Sequence, residues 1–580
     1  FNMVKRHENI RINAYFVFVL AAAAVISYNL FVLTYIKHDS YSRTARAQNE
    51  DIRNILARGN IYMGEHLAAT NNKFPLAYMV PAEINAQNLE EFAGRVSSIL
   101  GIDSDKVKSV VDSHSDKSRV LARKLDNKQV EAIKSLGVKG LGIAYEMDRF
   151  YPGGALAANV LGFIGYGGPG QDDKKSGQYG IESFYDEELF GNKFGVGNII
   201  DNTGFIDFIS GLFKGLETEE TDNKKQIDRP ADVVLSIDKN IQQIAEDKLG
   251  ILMEKLSAAG GTIIIQNPNT GEILAMADRP TFDPNNYSEY EPGNFLNRGV
   301  QEIFEPGSSF KPITMAAGLD IGAVTPQTKF NDAGFREEAG YKIKNFSEKI
   351  FGNVTMSEVL EKSVNTGVMH VQDLVGNDSF LNYVINFGFG QKTSIDLPGE
   401  AHGDISNLYS GRKINFLTAS FGQGIAVTPV QLVNAYSAIA NGGKLMRPYV
   451  VKKIIKENGE VEAVKPEIVA IPITEKTATK IKSMLVSVVD NGFDKARIKG
   501  YDIAGKTGTA QVPDGKGGYL ENEFIHDFVG FAPAFDPKFV ILIKVDRPKG
   551  ITFAADSLSP TFRDITAYLL NYYNIPPTRR

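Results

Sequence analysis

The stretch Thr262-Ile-Ile-Ile-Gln-Asn-Pro-Asn-Thr-Gly-Glu-Ile-Leu-Ala-Met276 contains two short apolar runs on either side of a turn at residues 268–271. Short apolar runs that flank Pro, Asn and Gly are typical of strands, so the stretch predicts a β-hairpin. Residues 238–256 precede it and carry apolar side chains at helical spacing. A helix followed by an antiparallel hairpin favours an α+β fold.

Similar patterns extend on both sides of this hairpin. Thr428 and Pro429 suit the N-cap and first position of a helix that Asn441-Gly-Gly443 would end. Upstream, we expect a helix over residues 88–100 and another that begins after an N-cap at Asp126. The polar stretch 216–232 reads as a linker or insertion between a mixed α/β region and the α+β domain.

The composition excludes several kinds of function. The 580 residues include 63 Lys and Arg against 69 Asp and Glu, a net charge of −6, so there is no overall positive field to hold nucleic acid. The chain has no cysteine, which excludes disulfides, zinc–thiolate sites, iron–sulfur clusters and thiol nucleophiles. Catalysis would have to use oxygen, nitrogen or a bound cofactor.

Residues 12–36 form an uncharged apolar segment. As a helix it would be about 37 Å long, which is enough to span a bilayer. A cleaved signal peptide is the alternative, but the apolar part of a signal peptide is usually shorter. Basic residues lie on both flanks and do not decide the orientation, although the long region that follows could be translocated. We expect a retained membrane anchor.

Three short motifs follow one another along the chain: Ser308-Ser-Phe-Lys311, Ser363-Val-Asn365 and Lys506-Thr-Gly508. The first two patterns are common by chance, and Ser410-Gly-Arg-Lys413 and Ser27-Tyr-Asn29 match them elsewhere in the chain. The surroundings of the first motif distinguish it, because flanking prolines and a following apolar face predict that Ser308 lies at the start of a helix.

The spacing of the first motif suits a Ser–Lys nucleophile. Residues i and i+3 share a helix face, so Lys311 can hydrogen-bond to the Ser308 hydroxyl. A cation at the positive end of a helix dipole is disfavoured, and Lys506 nearby would lower the pKa of Lys311 further. The resulting neutral amine could accept the serine proton.

Histidine chemistry is a weaker hypothesis. Of the seven histidines, only His370 lies near a motif, and Met369 and Val371 beside it indicate a core or helical position. A Ser–His–Asp triad or a zinc site is therefore disfavoured, and no metal is expected.

The third motif fits a strand. Alternation places Thr507 and Thr509 on one face, where two hydroxyls beside Lys506 suit a terminal carboxylate, although threonine is also simply common in strands. Gly508 would let a substrate backbone approach and pair with the strand edge. The backbone N–H groups of Ser308 and Thr509 are candidate oxyanion donors.

With these motifs in place, the chain resembles the class B penicillin-binding proteins, which are monofunctional peptidoglycan D,D-transpeptidases, and in particular their cell-division branch, the FtsI type. Further segments carry the resemblance along nearly the whole chain: Arg58-Gly-Asn-Ile-Tyr62, Arg149-Phe-Tyr-Pro152, Gly177-Gln-Tyr-Gly-Ile-Glu182, Asn297-Arg298, Gly422-Gln-Gly-Ile425 with Thr428-Pro429, Ala510-Gln511 and Phe528-Val-Gly-Phe-Ala-Pro533.

The resemblance implies an overall organisation. Residues 1–11 would be cytoplasmic, residues 12–36 a single transmembrane helix in the bacterial plasma membrane, and residues 37–215 an elongated stalk of the dimerisation type. After the linker, residues 233–580 would form the transpeptidase domain, with a central antiparallel sheet flanked by helices. The catalytic domain would lie on the periplasmic or extracellular side.

The resemblance also implies roles for residues. Ser308 would attack the penultimate D-Ala of a stem peptide with Lys311 as base, and Ser363 would relay a proton to the leaving amine. Asn365 would position the donor peptide, and the third motif, with Lys506, Thr507, Gly508 and Thr509, would bind its carboxylate. β-Lactams would acylate the same serine. No cofactor would be required, and an FtsW-like glycosyltransferase and other divisome proteins would be the partners.

Other functions remain open at this point. An elongation-specific class B transpeptidase with a RodA-like partner would use the same chemistry. A β-lactamase or a β-lactam-sensing domain would form the same acyl-enzyme, and a division scaffold with an inactive site would form none. The rate of deacylation separates the transpeptidase from the β-lactamase.

Overall fold

The structure is a computed structural model that describes residues 58–85, 88–114, 117–166, 175–190, 230–515 and 518–579. The predicted anchor at 12–36 and most of the predicted linker at 216–232 lie outside these ranges. Within them, no helix combines the length and the apolar character that crossing a membrane requires. The described chain forms two compact units, Asn72–Asp148 and the combination of Arg58–Asn71 with Arg149–Arg580.

Short strands and helices alternate in the N-terminal part of the chain. In order they are β1 (Ile61–Met63), β2 (His66–Met79), a 3₁₀ helix (Pro81–Glu83), α1 (Leu89–Leu100), α2 (Ser104–Asp112), β3 (Arg119–Ala122), α3 (Asn127–Ser135), β4 (Leu141–Phe150), α4 (Ala158–Leu161), β5 (Phe163–Tyr166), β6 (Lys175–Gln178), α5 (Gly180–Phe184) and α6 (Asp186–Phe190).

The larger unit continues with the elements that surround the three motifs. As far as residue 386 they are β7 (Asp232–Leu235), α7 (Lys239–Leu256), β8 (Gly260–Gln266), β9 (Ile273–Arg279), 3₁₀ helices at Pro284–Glu289 and Pro292–Phe295, α8 (Arg298–Gln301), a 3₁₀ helix at Gly307–Phe310, α9 (Lys311–Asp320), β10 (Lys329–Asp332), β11 (Phe335–Glu338), β12 (Tyr341–Lys344), a 3₁₀ helix at Phe346–Glu348, β13 (Gly352–Thr355), α10 (Met356–Glu361), α11 (Asn365–Val375) and α12 (Asn377–Asn386).

The remaining elements complete the sheet and its helical layers. They are a 3₁₀ helix at Ser406–Ser410, α13 (Lys413–Ala419), α14 (Pro429–Ala440), β14 (Leu445–Met446), β15 (Val451–Ile455), β16 (Val461–Ala463), β17 (Ile468–Ala470), α15 (Glu475–Asn491), a 3₁₀ helix at Asp494–Ala496, β18 (Ala504–Pro513), β19 (Tyr519–Ala532), β20 (Phe539–Asp546), α16 (Ala554–Ser557) and α17 (Ser559–Tyr572).

The smaller unit packs its helices over one apolar cluster. The side chain of Asn88 accepts a hydrogen bond at the start of α1, and Gly101 ends that helix in a left-handed conformation, with φ at 66°. Asp126 and Gln129 form a capping box at the start of α3. Both predicted helices are thereby confirmed. Their buried faces meet in a core that includes Phe92, Val96, Val107, Val130 and Ile133.

A five-stranded antiparallel sheet lies at the centre of the larger unit, in the order β18-β19-β20-β8-β9. The predicted hairpin is β8 paired with β9, and the helix before it begins at its predicted N-cap, Asp238. Thr428 likewise caps α14, with Pro429 in its first turn. Local turn and cap chemistry therefore predicted these elements correctly.

Helices cover both faces of this sheet. On one face Phe528 stacks on Phe562 of α17, with ring centroids 4.2 Å apart. On the other face the Gln266 amide donates to Asn434 of α14 at 3.0 Å, and every residue of α14 is buried. The predicted arrangement of an antiparallel sheet flanked by helices is confirmed.

Three segments that carry the family resemblance meet at one buried carboxylate in the larger unit. The two Glu182 oxygens accept hydrogen bonds from Nε of Arg58 at 2.6 Å and Nε of Arg149 at 2.7 Å, and the Tyr151 hydroxyl donates at 3.2 Å. Burial alone would raise the pKa of Glu182, but the two guanidinium groups outweigh it and lower the pKa. These segments therefore form an internal ion-pair network.

Candidate active site

Ser308 lies on the 3₁₀ helix Gly307–Phe310, which continues directly into α9. The backbone N–H of Lys311 donates to the Ser308 carbonyl, so the two residues of the first motif are one 3₁₀ turn apart. Ser308 is partly exposed, whereas Ser309 and Lys311 are completely buried. The prediction that Ser308 lies at a helix start is confirmed.

A glycine pair holds this turn in place. The Gly307 N–H donates to the Gly422 carbonyl at 3.0 Å. A Cβ atom on Gly422 would lie only 2.2 Å from the Gly307 carbonyl oxygen, and φ of Gly422 is +80°. The close backbone contact and the left-handed conformation both require glycine here. This gives a physical reason for the Gly422-Gln-Gly-Ile425 segment next to the predicted nucleophile, Ser308.

Lys311 joins the first motif to the second. Its Nζ atom donates to the Ser363 carbonyl at 2.5 Å and to the Ser363 hydroxyl at 3.0 Å. The spacing predicted a hydrogen bond to Ser308, but in the described part of the chain both side-chain bonds of Lys311 go to Ser363. The pKa of Lys311 lies well below its usual value, first because of burial and second because of Lys506. The predicted influence of Lys506 is thus present, and burial is the larger cause.

Ser363 adopts an unusual backbone conformation. It lies in the turn between α10 and α11 with φ at +55°, in the left-handed region that costs a non-glycine residue about 1–2 kcal/mol. Glycine would avoid that cost but would have no hydroxyl to hydrogen-bond with Lys311. Strained residues of this kind are concentrated at functional sites, so the conformation itself marks this turn.

Asn365 is the first residue of α11 and borders a cavity. Its amide donates to the Lys344 carbonyl on β12 at 3.0 Å. The cavity has a volume of about 460 Å³ and is lined by Asn365 together with Tyr341, Lys342, Lys344, Arg412 and Phe421. Beside it, buried Asp332 accepts hydrogen bonds from Asn345 and Thr366 and so ties the β11–β12 hairpin to the second motif.

The third motif lies on β18, which is an edge strand of the five-stranded sheet. Lys506 is buried, and burial lowers its pKa to about 8 although Asp527 opposes the shift. Thr507 and Thr509 point to the opposite, less buried face of the strand, as the alternation predicted. The hydroxyl of Thr509 accepts the N–H of Ala554 at 3.2 Å.

Gly508 has a second reason to be glycine. A Cβ atom there would lie 2.0 Å from the Asp527 carboxylate and 2.5 Å from the Pro306 carbonyl, on the buried side of the strand. The 3₁₀ turn Gly307–Phe310, which carries the predicted nucleophile and is called the nucleophile turn, packs against the same strand, since a Cβ atom on Gly307 would lie 3.1 Å from the Thr509 carbonyl. The assignment of the Ser308 and Thr509 N–H groups as oxyanion donors stays a prediction.

The alternative motif matches have structural roles. Ser410 ends an exposed 3₁₀ helix and donates to the Asn407 carbonyl, while Lys413 pairs with Glu338 and Asp373. His370 lies on α11 between buried neighbours, and its ring stacks on that of Phe330 on β10, with ring centroids 5.0 Å apart. Among the described residues, no group of three or more His, Asp or Glu side chains is arranged so that it could hold a metal ion. Ser27-Tyr-Asn29 lies outside the described residues.

Two buried residues beside the motifs were not predicted. The Tyr436 hydroxyl donates to the Ser309 carbonyl at 2.7 Å and so supports the nucleophile turn from α14. Asp527 lies on β19 directly opposite Gly508. Asp527 is the acid that directly precedes the apolar end of β19, Phe528 to Ala532, and this position is a signal visible in the sequence.

Family models and relatives match this chain over most of its length. The model described as penicillin binding protein transpeptidase domain matches residues 261–567, and that described as penicillin-binding protein dimerisation domain matches residues 56–206. Stage V sporulation protein D of Bacillus subtilis (strain 168) is 34% identical over 556 residues, which cover 94% of this chain and 82% of the relative. Peptidoglycan D,D-transpeptidase FtsI of Buchnera aphidicola subsp. Schizaphis graminum is 32% identical over 488 residues, with 83% and 80% covered.

A solved structure shows the same fold. Penicillin binding protein 3 from Mycobacterium tuberculosis, in complex with ampicillin, superimposes with a TM-score of 0.68 over 90% of this chain and 97% of its own, at 24% identity. At that identity the likeness concerns the fold alone.

Proposed function

Since the chain belongs to the class B penicillin-binding proteins, we propose that it is a peptidoglycan D,D-transpeptidase that forms its acyl-enzyme on Ser308. One observation carries this proposal. Buried Lys311 lies one 3₁₀ turn from Ser308, donates to Ser363 and has its pKa lowered first by burial and second by Lys506. Three motifs far apart in the sequence therefore act on one amine.

Acylation begins at this amine. Burial favours the neutral form of Lys311, which has two N–H bonds and one lone pair. The two N–H bonds are directed at the carbonyl and hydroxyl of Ser363, which leaves the lone pair to accept the Ser308 proton. The Ser308 oxygen then attacks the carbonyl carbon of the penultimate D-Ala of a stem peptide. The N–H groups of Ser308 and Thr509 would stabilise the resulting oxyanion.

The proton next reaches the leaving group. Ser363 passes it from Lys311 to the amine of the terminal D-Ala, the peptide C–N bond breaks and an ester remains on Ser308. An amine from a neighbouring stem peptide attacks that ester, forms the cross-linking amide and returns the proton to Ser308. Thr507 and Thr509, on the less buried face of β18, bind the carboxylate of the donor stem, Lys506 supplies positive charge from the buried face behind it, and Asn365 positions the stem itself. A β-lactam would acylate Ser308 in the same way, which the match of residues 261–567 to the penicillin binding protein transpeptidase domain supports.

The location of the protein is part of the proposal. Residues 12–36 would anchor it in the plasma membrane, with the catalytic domain on the outer side, where peptidoglycan is cross-linked. This rests on the uncharged apolar segment in the sequence. An FtsW-like glycosyltransferase would polymerise the strands that this enzyme cross-links. Protease treatment of intact spheroplasts should degrade the catalytic domain, and protection of that domain would contradict the orientation.

The likeness to FtsI favours cross-linking at the division septum. The likeness to stage V sporulation protein D, over 94% of the chain, favours wall synthesis during sporulation as a second candidate. Both roles use the same chemistry. A fluorescent fusion that collects at the septum of growing cells supports the first, and expression confined to sporulating cells supports the second. A signal along the side wall would favour the elongation role instead.

Labelling with a fluorescent penicillin tests the chemistry. The full chain in detergent should be labelled covalently, Ser308→Ala should lose the label, and Ser410→Ala should keep it. Loss of label in Ser410→Ala, or labelling of Ser308→Ala, would overturn the site assignment. Release of the label at about 1 s⁻¹ or faster would indicate a β-lactamase, and absence of any adduct would indicate a scaffold without activity.

A further inference from the structure

Asp527 is a completely buried acid on β19. Neither of its carboxylate oxygens accepts a hydrogen bond of good geometry within the described part of the chain, and the Ser309 hydroxyl, which lowers the pKa of Asp527, donates to the Pro306 carbonyl. An ionised carboxylate without a donor is costly to bury unless a nearby charge compensates it. The roles proposed above for the three motifs do not use this residue.

The sheet register places Asp527 in a row of polar residues. Gly508 pairs with Asp527, Asp527 with Lys544, Lys544 with Thr262 and Thr262 with Asp278, so one polar row crosses all five strands. Directly opposed residues of antiparallel strands point to the same face. The four side chains of this row are at most 2% exposed and therefore lie on the buried face of the sheet, the face to which Lys506 also projects: Asp527, Lys544, Thr262 and Asp278.

Gly508 leaves the space that the Asp527 carboxyl fills. A Cβ atom at residue 508 would meet an Asp527 oxygen at 2.0 Å and the Pro306 carbonyl at 2.5 Å. Lys506 is two residues along the same strand and therefore projects to the same face. The acid is thus held immediately behind the motif that is proposed to receive the carboxylate of the donor stem.

Most groups that face Asp527 already have other partners. On β20, Lys544 makes ion pairs with Asp546 at 2.6 Å and Glu302 at 3.4 Å. From the nucleophile turn, the Ser309 hydroxyl donates to the Pro306 carbonyl at 2.8 Å.

From α14, the Tyr436 hydroxyl donates to the Ser309 carbonyl. On β18, Lys506 donates to the Thr507 carbonyl at 3.0 Å and makes no ion pair within the described residues. Asp527 is the acid whose charge acts on it.

The titration of the two groups agrees with this geometry. Burial raises the pKa of Asp527 to about 7, against the opposing influence of Ser309, Lys506 and Lys544. Burial lowers the pKa of Lys506 to about 8, and Asp527 limits that fall. Both groups therefore change charge close to neutral pH.

We propose, on the basis of the transpeptidase function proposed above, that Asp527 is a positioning residue that acts through Lys506. Its carboxylate is the counter-charge that keeps the Lys506 ammonium protonated and in place behind the carboxylate site. The protonated ammonium in turn disfavours the cationic form of Lys311. Asp527 itself contacts neither the substrate nor Ser308 in this scheme.

Removal of the Asp527 charge should change how the rate of acylation depends on pH. In Asp527→Asn, Lys506 loses an attraction that typically shifts a pKa by about 1–3 units, so its pKa falls below 8. The alkaline limb of the acylation rate should move to lower pH by about one unit or more, and a shift of one unit lowers the rate at pH 8 about five-fold. At pH 6 Asp527 is mostly protonated in the wild type too, so the two rates should converge there.

The test uses the full chain in detergent. The second-order rate constant for acylation by a fluorescent penicillin is measured from pH 5.5 to 9.5 for the wild type, Asp527→Asn and the matched control Asp536→Asn, whose side chain is 78% exposed. The control should reproduce the wild-type profile. A variant rate that is lowered equally at every pH, or a profile that coincides with the wild type, would overturn the proposal.

Two further measurements cover other outcomes. If Asp527→Asn does not fold, Asp527→Thr, which is neutral and suited to a strand, takes its place. If neither folds, the ¹⁵Nζ resonance of Lys506 in the wild type decides. A change in the Lys506 chemical shift near pH 7, in addition to the change caused by titration of Lys506 itself, supports the coupling between Asp527 and Lys506. A single titration step refutes that coupling. Failure of the wild type to be labelled at Ser308 would overturn the proposed function and this inference together, whereas labelling with coincident profiles would overturn this inference alone.

Discussion

Replacement of Glu182 by Gln tests the structural meaning of the segments that carry the family resemblance. The substitution keeps the shape of the side chain and removes its charge. Arg58 and Arg149 would then face a neutral amide, although they are only 6% and 5% exposed. Arg58 keeps its 2.8 Å ion pair with Asp186, and Arg149 keeps its hydrogen bond to the Gly59 carbonyl.

The size of the expected loss of stability follows from the burial of the two arginines. Removal of one partner of a buried ion pair typically costs about 3–5 kcal/mol, because the other charge is left uncompensated. For a unit of roughly 400 residues, an unfolding entropy near 2.1 cal/mol/K per residue amounts to about 0.8 kcal/mol per kelvin. The melting temperature of the larger unit should therefore fall by about 4–6 °C at pH 7.

The effect should depend on pH with a definite sign. The pKa of Glu182 in the folded chain lies below the 4.5 of the free side chain, so its ionisation stabilises the fold fully above pH 4.5 and less as the pH falls through the folded pKa. Glu182→Gln lacks this contribution at every pH. The gap in melting temperature between wild type and variant should narrow on acidification from pH 6 to pH 3.

Differential scanning calorimetry of the full chain measures both effects. Glu187→Gln is the matched control, because Glu187 is an exposed acid a few residues away and its loss should change stability by at most about 0.5 kcal/mol. A melting temperature of Glu182→Gln within 1 °C of the wild type at pH 7 would refute the ion-pair reasoning, and so would a gap that does not change with pH.

Three further outcomes follow from the active site. Ser363→Ala and Ser363→Gly should both lower penicillin acylation by about 10²–10⁴-fold, since neither has the hydroxyl. The Gly variant should be about 1 kcal/mol more stable than the Ala variant, because φ at residue 363 is +55°, and equal stability by calorimetry would contradict the strain argument. Gly422→Ala should displace the nucleophile turn and lower the acylation rate about 10²-fold, whereas Gly94→Ala, at an open helical position, should leave it unchanged; equal rates for the two would contradict the role of the glycine contact. Acylation should fall at low pH as Lys311 gains a proton and at high pH near 8 as Lys506 loses one, and a rate that keeps rising above pH 9 would exclude the need for a protonated Lys506.

The predicted hairpin β8–β9 and the helices that begin after Asp126, Asp238 and Thr428 all form as expected. Each depends on chemistry within a few residues, such as a cap that accepts a backbone N–H or a turn rich in Pro, Asn and Gly. The partners in these interactions lie close together in the sequence, so the elements could be predicted from the sequence alone.

The site was only partly accessible to the same reasoning. Motif spacing indicated Ser308 and Lys311 and predicted a hydrogen bond between their side chains. In the described structure the Lys311 amine instead donates hydrogen bonds to Ser363, 52 residues away. The low pKa of Lys311 was expected from the helix dipole and Lys506, whereas burial is its largest cause. Asp527 was not predicted, because its importance comes from its position across the strand pair from Gly508.

The α+β class, the local elements, the family resemblance and the identity of the candidate nucleophile and base can all be read from the amino-acid sequence. Which groups lose contact with water depends on the packing of distant segments. Packing brings Arg58 and Arg149 to Glu182 across 124 and 33 residues of sequence and places Asp527 and Lys506 on one buried face. Removal from water strengthens charge interactions and shifts pKa values, and it arises from contacts between distant segments, which the local pattern of a sequence does not specify.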